Sequence, residues 1–210
     1  MKEIIRPYFF SCLLVLLTAC SSGHENKHTE EKTGRAENSN NTADKKNIDS
    51  VARVALKFCK KKKFNTKFCF LVDMSVHSGR NRFFVYDLQK NTILSEALVA
   101  HGSCNCSFLA EASFSNTSGS GCTSPGKYKI GNAYNGRFGK AYKLYGLDST
   151  NSRAFERNIV LHSYYLVPDT ETYPTPICNS LGCPMVSSHF FEKISPMIDA
   201  SSSPVLLWIF

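Results

Sequence analysis

"IVLHSYYL" at residues 159–166 and "CNSLGCPMVS" at residues 178–187 are the two stretches on which the reading of this chain turns. The first is an apolar run interrupted by His162. The second sets Cys183 between Gly182 and Pro184, with Ser180 and Ser187 on either side and a second cysteine, Cys178, five residues upstream. A cysteine so placed can be half of a disulfide, a metal ligand or a nucleophile. A nucleophile needs a nearby base and donors for the developing oxyanion. His162, 21 residues before Cys183, is a candidate base. Gly182 lets the backbone come close to a substrate, so the N–H groups of Gly182 and Cys183 could face an oxyanion. The residues alone leave open a structural strand histidine and a structural cysteine.

Working outward, the chain is rich in short β-prone runs. Lys67–Met74, Arg82–Leu88, Ile93–Ala100, Lys127–Ile130, Ala141–Tyr145, Asn158–Leu166 and Pro204–Phe210 read as strands. Gln89–Thr92 suggests a hairpin between the second and third. Upstream, Asp49 or Ser50 can cap a helix with apolar residues at Val51, Val54, Ala55 and Phe58. Near the C-terminus, Ser188 can cap a short helix through Phe190, Phe191 and Ile194. Pro196 should break it, or open a second turn capped by Ser195. The expected fold is mainly β, with one N-terminal helix and one or two short ones. Gly102–Gly126, rich in Ser, Gly, Cys and Asn, is a long loop that reads as a lid or rim over a site, or as a disulfide-stapled surface loop.

The N-terminus speaks to compartment. Lys2 and Arg6 precede an apolar run, Phe9–Leu17, too short to span a bilayer as a helix. It ends in Leu17-Thr18-Ala19-Cys20, small residues before a cysteine, the cleavage pattern of a bacterial lipoprotein. Residues 1–19 would be the signal peptide, and Cys20 would carry the lipid. Each buried CH2 of an acyl chain adds about 0.8 kcal/mol, so several chains anchor firmly. Ser21–Asn47 contains no Leu, Ile, Val, Met, Phe, Tyr or Trp. It cannot bury enough apolar surface to offset chain entropy, and residues 20–47 read as a lipidated cysteine and a disordered tether. Residues 48–210 remain as one domain with a proper core. The formal net charge is +8. An exported lipoprotein does not meet nucleic acid, and Lys60–Lys63 reads as the solvated cationic end of the first helix.

Setting aside Cys12 and Cys20 leaves seven cysteines: Cys59, Cys69, Cys104, Cys106, Cys122, Cys178 and Cys183. An odd count leaves at least one thiol free. A short helix-to-strand connection could bring Cys59 to Cys69 as a disulfide. Structural zinc wants two close ligand pairs. Cys104-Asn105-Cys106 is one residue short of the usual spacing, so no metal site is expected.

The two opening stretches, taken together, resemble the signature of the L,D-transpeptidase catalytic domain, the cysteine transpeptidases of peptidoglycan. "VAHG" (99–102), "FSNTSGSGCTSPGKYKIG" (114–131), "YNGRFGKAYKLYGLDSTNSRAFERNIVLH" (134–162) and the Pro-Met-Val after Cys183 are similar in order and spacing to one divergent branch. The resemblance covers roughly residues 67–210. It implies a β-rich domain with the cysteine on a loop at the end of a cleft. It implies Cys183 as nucleophile, His162 as base, and Ser163 as the residue whose carbonyl orients the imidazole. Ser180 and Gly182 would shape the oxyanion turn. The implied reaction attacks the peptide carbonyl between the L-centre of the third stem residue and the terminal D-residue. An amine or water then resolves the thioester. No cofactor is implied; the partners are peptidoglycan stem peptides and, through Cys20, a membrane, with the protein a monomer in the cell envelope.

The sequence departs from that pattern. Leu181 stands where many members have His, and Asn179 where the branch usually has Arg. An Arg would grip a donor carboxylate bidentately; Asn carries no charge to do so. Asn179 and Arg157 are the substrate-binding candidates, with Arg137 and Arg153 as further possible replacements. Cys178 could pair reversibly with Cys183. Two other functions stay open: an L,D-carboxypeptidase or amidase using the same thioester, and a non-catalytic peptidoglycan-binding lipoprotein.

Overall fold

Two apolar runs set the middle of the sheet. A computed structural model describes residues 33–106 and 108–210. In it "FCFLV" forms β1 (Phe68–Val72) and "LLWI" forms β8 (Leu206–Ile209), paired in parallel. Both are apolar at nearly every position because both faces are covered, as buried strands require. The remaining strands are β2 (Phe83–Asp87), β3 (Thr92–Ala97), β4 (Gly126–Gly136), β5 (Gly139–Gly146), β6 (Val160–Ser163) and β7 (Met185–Val186). They join one eight-stranded sheet in the order β3-β2-β1-β8-β4-β5-β6-β7. The described domain is mainly β, with one N-terminal helix and one short helix.

Helix α1 (Thr33–Lys62) covers one face and α2 (Ser188–Asp199) the other. Under α2 lie Phe70, Val72, Tyr128, Ile130, Tyr142, Leu144 and Leu207. Ser187, not Ser188, is the N-cap of α2, accepting from the Phe190 N–H at 3.2 Å. The helix also runs through Pro196 to Asp199 rather than breaking there. Pro196 and Glu192, four residues before it, are both exposed, so the backbone bond that Pro cannot make is lost on the solvent side. Buried Phe190, Phe191, Ile194 and Ile198 offset that loss, at about 1.5–3 kcal/mol each.

On the opposite face, Ile48, Ala52, Ala55 and Cys59 of α1 pack on Cys69, Leu71, Phe84, Tyr86 and Leu206. The helix begins before the expected cap, inside the stretch expected to be a tether. Ile48 is the first buried residue among those whose side chains are described, and once a packed segment holds the helix, extending it backwards is cheap per residue. The expected signal peptide, Cys20 and residues 21–32 lie outside the described residues. No helix among the described residues is long and apolar enough to cross a membrane. The C-terminus of α1 closes with Lys63 at φ 59° and the Phe64 N–H on the Cys59 carbonyl at 2.9 Å.

Cys59 and Cys69 are not bonded to each other. Both are thiols in the apolar layer under α1, acting as small hydrophobes, and burial pushes Cys59 up to about 11 and Cys69 further. The disulfide found joins Cys104 to Cys122, within the long 102–126 loop. β4 and β5 run longer than expected because a register shift between Ile130 and Ala133 lets the hairpin continue to a two-residue tip, Arg137-Phe138. β7, only two residues long, carries too little pattern to be read from sequence.

Candidate active site

Pairing fixes where the two motif residues meet. β6 pairs β5 antiparallel, with His162 opposite Ala141 and Val160 opposite Lys143. It pairs β7 in parallel, with His162 beside Met185. Two residues back along the β7 chain, Cys183 therefore comes beside Val160. The contact is direct: the Val160 N–H donates to Cys183 Sγ at 3.4 Å. The thiol in turn donates to the Asn158 carbonyl at 3.8 Å. Alternation puts Val160 and His162 on one face of β6. The sheet thus brings His162 and Cys183 to the same edge, two residues apart in register.

The imidazole is fixed from two sides. His162 Nδ1 donates to the Ser163 carbonyl at 2.9 Å, which leaves Nε2 unprotonated in the neutral ring and without a protein partner among the described residues. Phe138, from the β4–β5 tip, stacks on the ring with centroids 5.3 Å apart and planes 12° apart. Tyr164 meets Phe138 edge-on. His162 is 5 % exposed, and this burial lowers its pKa, against a smaller raising effect of the Ser163 bond. Burial raises the Cys183 thiol; the Val160 N–H, Arg157 and Lys143 work in the other direction. The resting pair is therefore neutral thiol and neutral imidazole. The thiol bonds to backbone and not to the ring, as is common before a substrate tightens the site.

The turn before Cys183 is built by Ser180. Its Oγ accepts from the Gly182 N–H at 3.0 Å. The Gly182 N–H is thus already satisfied, contrary to the expectation that it would face an oxyanion; the Cys183 N–H has no protein partner among the described residues. Ser180 itself is locked to the 101–103 segment, its N–H on the His101 carbonyl and its carbonyl receiving the Ser103 N–H, both at 2.8 Å. Gly182 has φ 114°, and a Cβ there would lie 2.7 Å from the Cys122 carbonyl. The disulfide-stapled loop therefore runs directly against the turn, both stapled and at the rim of the site.

Arg157 and Asn179, the expected substrate contacts, are instead committed to this loop. The Arg157 fork donates to the Ser115 carbonyl (2.8 Å), Ser124 Oγ, Ser120 Oγ (3.3 Å) and the Cys122 carbonyl (2.7 Å). Asn179 brackets one residue: Oδ1 accepts from the Leu109 N–H at 2.8 Å and Nδ2 donates to its carbonyl at 3.1 Å. Arg137 is exposed, over the Phe138 ring, and Arg153 is exposed on the loop after the 3-10 turn Ser149–Asn151. Cys178 is a half-buried thiol packed with Leu98, Ile177 and Met185 in the cluster that Cys183 also touches. Behind the turn, fully buried Arg82 donates to the Val99 and Val76 carbonyls and to His101 Nδ1 at 2.7 Å. Burial and Arg82 push His101 down to about 4, so it stays neutral.

Sequence reading missed Phe138, Lys143 and the backbone groups of Val160 and Asn158. Backbone contacts leave no residue signature. Phe138 was legible only through the hairpin register that lays residue 138 over residue 162.

A family model described as the L,D-transpeptidase catalytic domain matches residues 39–208. Among solved structures, an L,D-transpeptidase from Xylanimonas cellulosilytica is similar at 10 % identity, covering 70 % of this chain and 61 % of its own, with TM-score 0.40. One from Mycobacterium smegmatis stands at 12 %, 69 %, 58 % and 0.41. The helical cell shape determining protein of Campylobacter jejuni stands at 13 %, 69 %, 47 % and 0.46. The chain thus spans about half to three-fifths of the length of these structures. No curated protein sequence matches.

Proposed function

The chain belongs to the L,D-transpeptidase catalytic-domain family, and from that premise we propose that it is a murein L,D-transpeptidase working through a Cys183 thioester. The observation that carries the proposal is the fixed tautomer: Ser163 holds the Nδ1 proton, so Nε2 is the free base, on a residue two positions along β6 from Val160, whose N–H bonds Cys183 Sγ.

Cys183 Sγ attacks the carbonyl carbon of the amide between the third and fourth stem residues as its proton passes to His162 Nε2. The Cys183 N–H faces the carbonyl oxygen as negative charge develops there. The C–N bond then breaks, and the imidazolium returns its proton to the departing D-amino acid. An acceptor amine attacks the thioester, loses a proton to His162, and the thiol is restored. The Val160 N–H, Lys143 and Arg157 stabilise sulfur while it is anionic. On this reading the protein is an exported lipoprotein, tethered to an envelope membrane by lipid on Cys20. Leu17-Thr18-Ala19-Cys20 supports that part.

The test is intact-mass spectrometry of the full chain in mild detergent, mixed with a stem tetrapeptide and quenched in acid. The expected result is an acyl adduct that vanishes in Cys183→Ala and in His162→Ala falls by at least about a hundredfold in rate. Full turnover by Cys183→Ala would end the proposal. Products with and without an added amine separate transfer from hydrolysis.

A further inference from the structure

The sequence "KYKI" at 127–130 alternates as a half-covered strand should: Tyr128 and Ile130 point into the core, Lys127 and Lys129 to the other face. Among the described residues, α1 packs on that face over β1, β2, β8 and Ile93 of β3, and reaches β4 at Lys127, whose Nζ lies 5.7 Å from the Phe58 ring. Past Lys127, no α-helix among the described residues packs on that face of β4 and β5. Directly paired residues share a face, so Lys129 stands with Tyr145, and Lys143 with Val160. Lys129 Nζ lies 4.6 Å from the Tyr145 ring centroid, and Lys143 Nζ 5.1 Å from Tyr134 and 5.8 Å from Phe155. Tyr145 and Phe155 are themselves stacked, 4.9 Å apart and 12° from parallel. Tyr134 and Phe155 are 37 % and 52 % exposed. Lys127 pairs with Asp148, but among the described residues neither Lys129 nor Lys143 has a carboxylate within 4.0 Å. The patch runs without a break to the catalytic edge: Val160, opposite Lys143, carries the N–H that holds Cys183 Sγ.

We propose that this open face, with Lys129 and Lys143 set among Tyr134, Tyr145 and Phe155, docks a peptidoglycan strand and feeds its stems to Cys183. The proposal rests on the function inferred above. The chemistry is complementary: the exposed rings of Tyr134 and Phe155 pack against the apolar faces of sugar rings, and two ammonium groups with no carboxylate partner among the described residues, Lys143 bonded only to Asn158 Oδ1 at 3.1 Å, take the free carboxylates that the strand carries. A solvated lysine face would have no need of stacked, exposed aromatic rings between the cations. Lys143 also acts on the Cys183 sulfur, so strand binding is measured in a Cys183→Ala background, apart from acylation.

The experiment is co-sedimentation of the full chain, in mild detergent, with purified intact sacculi. Every arm carries Cys183→Ala, so turnover contributes nothing. The parent should sediment with sacculi. Adding Lys129→Glu and Lys143→Glu should weaken binding about tenfold or more, since two partly exposed charge contacts are reversed. Lys129→Arg with Lys143→Arg should keep binding, because Arg retains both charge and ring contact. Tyr145→Ala should weaken it at both salt concentrations. Raising salt from about 0.1 M to about 1 M, which shortens the Debye length from roughly 10 Å to 3 Å, should weaken the parent and leave the Glu variant little changed. Thermal unfolding of each variant checks that it is folded. Equal binding by parent and Glu variant overturns the proposal, as does equal loss in the Arg variant. Selective capture by phosphatidylglycerol over phosphatidylcholine vesicles, lost in the Glu variant while sacculus binding persists, would assign the face to a membrane and also overturn it. None of these results depends on the acyl adduct, so the function can fail while docking stands, and the reverse.

Discussion

Gly182→Ala is the substitution whose effect can be worked out most fully. At φ 114° a side chain is strained whatever the surrounding space, at about 1–3 kcal/mol. The space is also lacking. The new Cβ would lie 2.7 Å from the Cys122 carbonyl oxygen and 3.0 Å from Ile159 Cδ1. Ordinary contact begins at 3.4 Å, so one partner must move by 3.4 − 2.7 = 0.7 Å. The carbonyl cannot yield easily, because Arg157 Nη2 holds it at 2.7 Å and Cys122 is disulfide-bonded to Cys104. The turn must move instead, and it carries Cys183 with it. Displacement on the order of 1 Å at a reacting group costs about a hundredfold in rate. A loss of about 2 kcal/mol in a domain of this size lowers the Tm by roughly 4–8 °C. Stopped acylation followed by intact mass, beside a thermal melt, measures both. Gly119→Ala is the control: φ is 77°, but no atom lies within 4 Å of its Cβ. It should lose stability and keep the acylation rate. Gly182→Ala acylating at the parent rate, or Gly119→Ala losing as much, would refute the reasoning.

Four further outcomes are expected. Arg157→Lys should lower the stability of the 115–124 segment by about 2–4 kcal/mol, since an ammonium cannot span four acceptors; amide exchange at residues 115–124 measures it. Asn179→Ala should release the Leu109 backbone, seen as faster exchange of the Leu109 amide, with a smaller effect on the melt. Because burial lowers His162 and the base form is active, acylation should be present above the folded-state pKa and lost as pH falls through it. That acid limb should lie below the ordinary imidazole value of about 6.5, and Phe138→Ala, which rehydrates the ring, should move it up. Native thiol labelling mapped by peptide should find Cys106 first, while Cys59 and Cys69 react only on unfolding.

The parts of the fold legible in the sequence were those with a local cause. β1 and β8 read as strands because they are apolar at nearly every position, with both faces covered. The cap of α2 slipped by one residue because Ser187 and Ser188 are both competent caps, and only packing of Phe190 and Phe191 chooses between them. Pro196 misled because its cost depends on whether the lost bond faces solvent, which one sequence does not state. At the candidate site, the motifs pointed to His162 and Cys183, and strand pairing brings them to one edge of the sheet. The tasks of Asn179 and Arg157 were not, because a side chain that could grip a substrate carboxylate can equally grip backbone carbonyls, and the loop that supplies those carbonyls is distant in sequence. Cys59 and Cys69 misled for a related reason: proximity permits a disulfide but does not require one.

On the proposed function, the loop also bears on how a half-buried thiol would act as a nucleophile near neutral pH. Burial raises Cys183 and lowers His162, so the two shifts both oppose a resting thiolate–imidazolium pair. A preformed ion pair would need these shifts reversed, and the positive charges of Arg157 and Lys143 favour the thiolate but also disfavour a nearby imidazolium. Proton transfer concerted with attack resolves the conflict. The sulfur charge passes at once into the acyl group, and the imidazolium lasts only until the leaving amine takes its proton. Arg157 acts at this point through position as much as charge, since the same guanidinium that lies near sulfur anchors the loop beneath Gly182. On this account Lys143→Met should slow acylation only a few-fold, the effect of one partly exposed charge. Arg157→Met should slow it far more, because it also loosens the turn. Single-turnover acylation of the two variants, each measured across pH, separates the cases. A lysine effect as large as the arginine effect would mean that charge alone governs the thiol, and would overturn the concerted account.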